Sequence, residues 1–373
     1  MKIFGMNRLR AMLLATTAAL AGGGAAAQAQ TQALAFGEPV PSQLSRPRPR
    51  EALFVVAPGT SGLLANTLSR SFTERYSDAV VPRVELLAAG TVAQAFCSGL
   101  GPTTPDVAVL TRQLPRAVID ACAANGVTEI VELHLGFSAV VLAVRRGDAL
   151  AALTPRQVYE AMRAEKPEGE EFAVNRVATW SQVGQGLPET QIRMIVPDDA
   201  ASARPRFDSF IMEAGCRDIP ALRLIFDASY RVGKCIALRN DGRVVERRGG
   251  EVPGALLQAE TGTIGVVTFG QLQDSGGNLV PLRLNGVIPT ASSIANLDYE
   301  AVNRVYLYVK RQHARSQRGG GVVRGIREFA MEAVSESVSG PGGQLVLGGL
   351  VPLPPVERTA QRRIADRLER MSH

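Results

Sequence analysis

The stretch that decides the fold is Leu53-Phe54-Val55-Val56-Ala57-Pro58-Gly59-Thr60-Ser61-Gly62. Its first five residues are apolar and predict a buried strand, and the small residues after them predict a tight turn. Residues 63–76 then predict a helix, because Leu64, Leu68 and Phe72 recur on one face. A strand that ends in a turn and opens a helix is the repeating unit of α/β proteins.

The same alternation continues along the chain. Residues 84–87 and 106–110 predict strands, with a turn at Gly90-Thr91 and a helix through Phe96 between them. Residues 164–176 are rich in charge and predict a loop. Further apolar stretches predict strands at 131–135, 139–144, 193–196, 263–267 and 305–309. This order predicts an α/β protein with parallel strands and crossover helices.

Residues 1–29 predict a cleavable signal peptide. Lys2, Arg8 and Arg10 form a positive region, residues 11–21 a short apolar core, and Ala27-Gln28-Ala29 a small-x-small cleavage site. The apolar core is shorter than the roughly 20 residues that a membrane span needs. The sequence therefore predicts export.

Residues 30–50 predict a flexible leader, since their alternating prolines and arginines suit neither a helix nor a sheet. The formal net charge of the whole chain is +6. The signal peptide contributes three of these charges and no acid, so the mature excess is too small to indicate nucleic-acid binding.

Four cysteines, Cys97, Cys122, Cys216 and Cys235, lie beyond the signal peptide. An even number in an exported chain predicts disulfides, and three connectivities are open. Sequential pairing closes the shortest loops. The spacing contains no C-x-x-C motif and histidines are scarce, so we expect no metal site.

No catalytic motif is present. The sequence lacks a nucleophile elbow, a zinc-protease helix, a phosphate-binding P-loop and a dinucleotide fingerprint, and only His134 and His313 lie inside the chain. We therefore expect neither an enzyme nor a cofactor. A secreted phosphatase, the enzymatic alternative, would need a nucleophile and base or metal ligands, and the sequence offers neither.

Hydroxyl-bearing turns recur where predicted strands end. They are Gly59-Thr60-Ser61, Gly90-Thr91 and Ala201-Ser202-Ala203, and Arg112 follows the third strand. Free N–H groups and the dipole at a helix start attract anions, and a guanidinium binds an oxyanion with two hydrogen bonds. Taken singly, the hydroxyls also fit helix caps and Arg112 also fits an ion pair; their convergence favours an anion site.

At these residues the chain resembles the phosphate-binding protein of bacterial phosphate ABC transporters. The likeness runs in order from Phe54 to the C-terminus. Its clearest parts are Gly59-Thr60-Ser61, Phe72-Thr73-Glu74-Arg75-Tyr76, Phe96-Cys97-Ser98-Gly99, Asp106-Val107-Ala108, Thr111-Arg112 and Ala121-Cys122-Ala123-Ala124-Asn125-Gly126-Val127. The two cysteine motifs support a Cys97–Cys122 bond.

The resemblance implies a two-lobed periplasmic-binding-protein fold with two crossover strands and a ligand cleft between the lobes. It predicts one lobe from residues 51–143 and 264–373 and the other from residues 144–263. It also implies a monomer in the periplasm that binds inorganic phosphate or another small oxyanion, works with an inner-membrane ABC permease and binds no nucleic acid. The ligand residues it implies are Thr60, Ser61, Thr91, Arg112, Ser138, Ser202 and Arg204.

The departures from the family pattern fall on the anion site. Ala201 and Ala203 stand where the third anion loop has hydroxyls, and Phe137-Ser138-Ala139 replaces a segment with an aspartate. Arg204 and Arg206 are the cations available to compensate. An alternative function is therefore an exported protein of the same fold that has lost phosphate transport and binds another ligand or a protein partner.

Overall fold

A computed structural model describes residues 50–148, 152–169, 171–315 and 320–372. The predicted signal peptide and residues 30–49 of the predicted leader lie outside the described residues. The strands are β1 Phe54–Pro58, β2 Arg83–Leu87, β3 Val107–Leu110, β4 Ile130–Arg145, β5 Ala152–Leu153, β6 Glu165–Glu168, β7 Glu171–Val174, β8 Met194–Pro197, β9 Val244–Arg247, β10 Ile264–Thr268, β11 Leu279–Pro281, β12 Arg283–Leu284, β13 Val302–Lys310 and β14 Val351–Pro352.

The helices alternate with these strands. They are α1 Gly62–Arg75, α2 Val92–Phe96, α3 Arg116–Ala124, α4 Pro155–Met162, α5 Arg204–Phe207, α6 Ala214–Arg217, α7 Pro220–Arg223, α8 Ala228–Ile236, α9 Val252–Gln258, α10 Phe269–Asp274, α11 Ala291–Ala295, α12 Ile326–Ala333, α13 Glu336–Ser339, α14 Gln344–Leu347 and α15 Pro355–Arg367. A π-helical segment, Asp208–Glu213, joins α5 to α6.

One sheet connects the main strands in the order β2-β1-β3-β13-β4-β10-β8-β9. β1 pairs in parallel with β2 and β3, and β8 pairs in parallel with β9 and β10. Between these two parallel groups, β4 is antiparallel to both of its neighbours, β13 and β10. Two parallel groups joined through long antiparallel strands confirm the predicted α/β, two-lobed class.

β4 is the longest of these strands. Its residues from Ile130 to Ala139 pair with β13, and those from Val140 to Ala143 pair with β10. The prediction of two separate strands at 131–135 and 139–144 is wrong, because Gly136 continues the strand. A Cβ at this glycine would lie 2.5 Å from the Val351 carbonyl oxygen of β14, so only glycine fits. Residues 164–176, predicted as loop, contain β6 and β7, which pair antiparallel.

Each parallel group has its own hydrophobic core. Val55 and Ala57 of β1 pack on one face of the first group, with α1 and α12, while Phe54 and Val56 pack on the other face, with Phe96. This alternation follows from the two-residue period of a strand. The second group has one large core that contains buried residues of β8, α4 and α9.

The second core also contains residues that the sequence analysis assigned to the first lobe. Ile264, Val266, Leu284 and Tyr299 are buried in it, and β10 is hydrogen-bonded to β8. The boundary between the lobes at residue 264 was implied by the family resemblance. The packing of these four residues in the second core favours a boundary later in the chain. We therefore propose that the second lobe extends to about Val302, where β13 begins and the chain returns to the first group.

Two disulfides are present, Cys97–Cys122 and Cys216–Cys235, in the sequential pairing favoured above. The first joins the end of α2 to α3, and the second joins α6 to α8. Each bond would stabilise the fold by roughly 3 kcal/mol, mainly by restricting the unfolded chain. The second loop carries two exposed apolar side chains, Leu224 and Phe226, the latter fully exposed.

Candidate functional site

A small cavity lies where the two parallel groups meet. Its volume is about 80 Å³. Its lining includes residues from the turn after β1, the end of β3, the middle of β4 and the start of α5. The polar residues that line it are Thr60, Ser61, Thr67, Thr111, Ser138, Ser202, Arg206 and Gln344. Ligand sites of open α/β sheets form at the carboxyl ends of parallel strands, as here.

Six hydroxyl-bearing residues from different parts of the chain line this cavity: Thr60, Ser61, Thr67, Thr111, Ser138 and Ser202. Ser61 precedes α1, yet its side chain does not cap that helix. Within the described chain, the Thr67 hydroxyl accepts a hydrogen bond from Arg70 Nη2 at 3.5 Å, and the other five hydroxyls have no protein partner, so the donors of all six remain available. The Gly62 N–H at the start of α1 donates to the Gly59 carbonyl oxygen of the preceding 3-10 turn, and the dipole of this 14-residue helix favours negative charge near its start.

Arg206 supplies the positive charge of the cavity. Its side chain belongs to a residue that is only 6% exposed, and one Nη1–H donates to the Ser202 carbonyl oxygen. Its Nε is buried without a partner, and no carboxylate of the described residues lies within ion-pair distance. Burial lowers the pKa of Arg206 to about 10, so the guanidinium stays charged at neutral pH. A buried charge without a counter-ion is costly unless a ligand neutralises it.

Arg204, which the sequence analysis assigned to the ligand, is used differently. Its Nε donates to Asp208 at 2.9 Å and its Nη1 to Glu246 at 2.7 Å, and Asp199 lies 3.2 Å away. Burial alone would lower the pKa of Arg204, but Asp208, Glu246 and Asp199 together raise it. Arg204 does not line the cavity, because three carboxylates hold it on the other side of the helix start.

Arg112 and Thr91 also lie outside the cavity lining. Arg112 follows β3 but is exposed. Thr91 is exposed as well, and its hydroxyl donates to the Ala88 carbonyl oxygen at 2.9 Å. Of the expected ligand residues, the cavity brings together Thr60, Ser61, Ser138 and Ser202, and it is not lined by Thr91, Arg112 or Arg204.

Thr111 and Arg206 line the cavity, whereas the sequence analysis named the nearby residues Arg112 and Arg204. Thr111 is the first residue after β3, and its side chain lines the cavity while that of Arg112 does not. Arg206 lies four residues after Ser202, and residues four apart share one face of a helix. That spacing was the available signal, since Arg204 is only two residues from Ser202.

The charge around the cavity favours an anion. Of the described residues that line it, none is acidic, while one is a buried arginine and six carry hydroxyl donors. The described chain contains no group of three or more metal-ligating side chains able to hold a metal ion. None of the helices in the described ranges is long and apolar enough to cross a membrane.

A family model described as a PBP superfamily domain matches residues 50–337. The chain belongs to this superfamily. Its members are solute-binding proteins, which are not enzymes. No curated protein sequence matches this PBP-superfamily chain significantly.

Solved structures share the fold at low sequence identity. A possible phosphate binding protein from Planctomyces limnophilus is 14% identical, with a TM-score of 0.60, over 87% of this chain and 100% of its own. An ABC-type phosphate transport receptor from Vibrio cholerae is 13% identical, with a TM-score of 0.54, over 81% and 100%. PstS from Borrelia burgdorferi is 14% identical, with a TM-score of 0.54, over 82% and 100%. These likenesses establish the PBP fold.

Proposed function

We propose that this protein is a periplasmic solute-binding protein that captures phosphate or a similar small oxyanion and delivers it to an inner-membrane ABC permease. The observation that carries the proposal is Arg206, a buried guanidinium to which no carboxylate of the described residues is paired, in a cavity lined by hydroxyls whose donors are unused there. The names of the structural relatives, a phosphate transport receptor among them, point to the same ligand class. The predicted signal peptide and the family support export.

An oxyanion in this cavity would join the two lobes. Thr60 and Ser61 would donate to it from the first lobe, and Arg206 and Ser202 from the second. Hydrogen bonds to a charged group contribute about 1.5–3 kcal/mol each. Because the donors belong to both lobes, we expect the ligand to stabilise a closed arrangement of the cleft.

The lining also predicts weak discrimination between oxyanions. A carboxylate would accept a hydrogen bond from a protonated oxyanion and would repel a fully ionised one, but the described lining has none. We therefore expect sulfate to compete with phosphate. In a site that has a carboxylate, the carboxylate would favour hydrogen phosphate over sulfate.

Isothermal titration of the purified protein with inorganic phosphate and with sulfate tests the proposal. We expect one-to-one binding, with a dissociation constant of about 1 μM or below for phosphate. Arg206→Met should remove it, while Arg112→Met, a matched change at an exposed arginine, should leave it unchanged. Absence of heat and of a thermal shift with every oxyanion would refute the proposal.

A second candidate function has its own support in the third anion loop. Ala201 and Ala203 have no side-chain hydroxyl to donate there. This favours a protein that kept the fold but lost phosphate transport and binds another ligand or a protein partner. Permease and ATPase genes beside the gene for this chain would favour transport; their absence would favour this alternative.

A further inference from the structure

A second cavity adjoins the anion cavity and shares Ser202 with it. Its volume is about 440 Å³, over five times that of the anion cavity. It lies between residues 198–203, which follow β8, and residues 248–250, which follow β9. We call it the side groove. A ligand atom beside Ser202 in the anion cavity is therefore next to open space.

Small residues keep the side groove open. Ala200, Ala201 and Gly250 line it, and a Cβ at Gly250 would meet nothing within 4 Å. The two loops touch at one point, where a Cβ at Gly249 would lie 2.6 Å from the Cβ of Ala201. The alanines that weaken the third anion loop thus form one wall of the groove.

Two charged side chains at the groove have spare hydrogen-bonding capacity. In the described chain, the Asp198 carboxylate makes neither a hydrogen bond nor an ion pair, while its backbone N–H is held by the Arg247 carbonyl oxygen at 2.8 Å. The nearest acid to Arg248 is Glu251, with 3.9 Å between Nη1 and Oε1, and the Arg248 side chain is 84% exposed. An acceptor and a donor therefore border the same space.

Apart from Ser202, which also lines the anion cavity, the remaining polar side chains of the groove are occupied by structural hydrogen bonds. The Gln271 side chain donates to the Gly249 carbonyl oxygen at 2.7 Å and accepts from the Thr268 N–H at 2.9 Å. The Thr268 hydroxyl in turn accepts from the Gln271 N–H. These bonds tie the 248–250 loop to the start of α10, so Asp198 and Arg248 remain the groups available to a ligand.

The anion cavity and the side groove differ in volume, and each suits a different part of a single ligand. Pockets for organic ligands are on the order of 300–1,000 Å³, a range that includes the side groove but not the anion cavity. Resting on the proposed function, we propose that the natural ligand is a substituted oxyanion, a phosphate monoester or phosphonate. Its charged head binds at Arg206, and its small substituent, bearing hydroxyl or amino groups, lies in the side groove against Asp198 and Arg248.

Titration calorimetry with four probes tests this inference: inorganic phosphate, glycerol 3-phosphate, phosphoethanolamine and 2-aminoethylphosphonate. We expect at least one substituted probe to bind about tenfold or more tightly than inorganic phosphate. Gly250→Trp should fill the groove and remove this preference without weakening inorganic phosphate. Gly233→Trp in α8, which also has no neighbour within 4 Å and lines neither cavity, is the matched control.

The Asp198→Asn variant tests whether the Asp198 charge contributes to binding beyond the fit of the substituent in the side groove. It should weaken the amino-bearing probes more than glycerol 3-phosphate, since an ammonium group loses more than a hydroxyl when the carboxylate becomes an amide. Equal binding of all four probes, unaffected by Gly250→Trp, would overturn the inference and leave the proposed function intact. Binding of none of them would overturn both.

Discussion

The helix that begins at Arg204 presents two arginines in opposite environments. On one side, Arg204 contacts Asp199, Asp208 and Glu246. On the other side, Arg206 is equally buried, yet no carboxylate of the described chain pairs with it. The two residues are separated by one proline. Burial alone therefore does not assign a role to a cation: acids neutralise Arg204 within the fold, whereas hydroxyls leave the charge of Arg206 uncompensated in the described chain.

Arg206→Met should produce the largest effect on binding. Removing the only cation that lines the described cavity should weaken phosphate binding about 1,000-fold, or about 4 kcal/mol. The free energy of unfolding without ligand should stay constant or rise, because an unpaired buried charge is removed. Calorimetry and urea denaturation measure the two quantities. A variant that unfolds more easily yet binds normally would reverse the roles of the two arginines.

Arg204→Met should have the converse effect. It leaves Asp208 buried without its cation, and breaking a buried ion pair from one side costs about 3 kcal/mol or more. Urea denaturation should detect this loss, while the phosphate affinity of the folded fraction should change less than tenfold. If this variant keeps wild-type stability, the three carboxylates are not a structural cluster.

His134 is a third buried basic side chain, and unlike the two arginines it is neutral at neutral pH. Burial first, and then the charge of Arg304, lower its pKa from 6.5 to about 4, although its contact with the Gly136 carbonyl oxygen raises it. The unfolded chain therefore binds more protons between these values, so stability is lost as the pH falls from about 6.5 to about 4. The loss is about 3 kcal/mol at most.

Urea denaturation at several pH values, with the wild type and His134→Gln, measures this contribution. The variant should lose less stability on acidification than the wild type. Parallel pH profiles for the two proteins would mean that folding does not lower the pKa of His134.

Single hydroxyls of the cavity should have the smallest effects. Ser138→Ala removes one donor from the middle of β4 and should weaken phosphate binding about tenfold. Thr91→Ala is the matched control, since the Thr91 hydroxyl bonds to the Ala88 carbonyl oxygen outside the cavity. Equal losses for both variants would place Thr91 in the site after all.

The fold was largely predictable because its signals are local. The apolar run 53–57 and the turn after it gave β1 and the start of α1, and Thr154-Pro155 begins α4 with a capping box. The β4 strand was misjudged because a glycine in an apolar run normally suggests a break. The reason that Gly136 continues the strand is its contact with β14, more than two hundred residues later.

The site was predictable only in part, for the same reason. Thr60, Ser61 and Ser202, expected from hydroxyls after strand ends, line one cavity because the strand direction aims them at one edge of the sheet. The choice between Arg204 and Arg206 depends on Glu246, which β9 brings beside β8. No local pattern shows that pairing, so the sequence could locate the segment with the two arginines but could not show which of them pairs with acids.

The second disulfide has a consequence for proteolysis. The Cys216–Cys235 bond encloses Phe226, whose side chain is fully exposed and offers chymotrypsin a cleavage point. Because Cys216 and Cys235 flank that point, the two fragments of a nicked chain remain covalently linked. The damaged protein would therefore run as an intact band on a gel without reductant and separate into two pieces when a thiol is added.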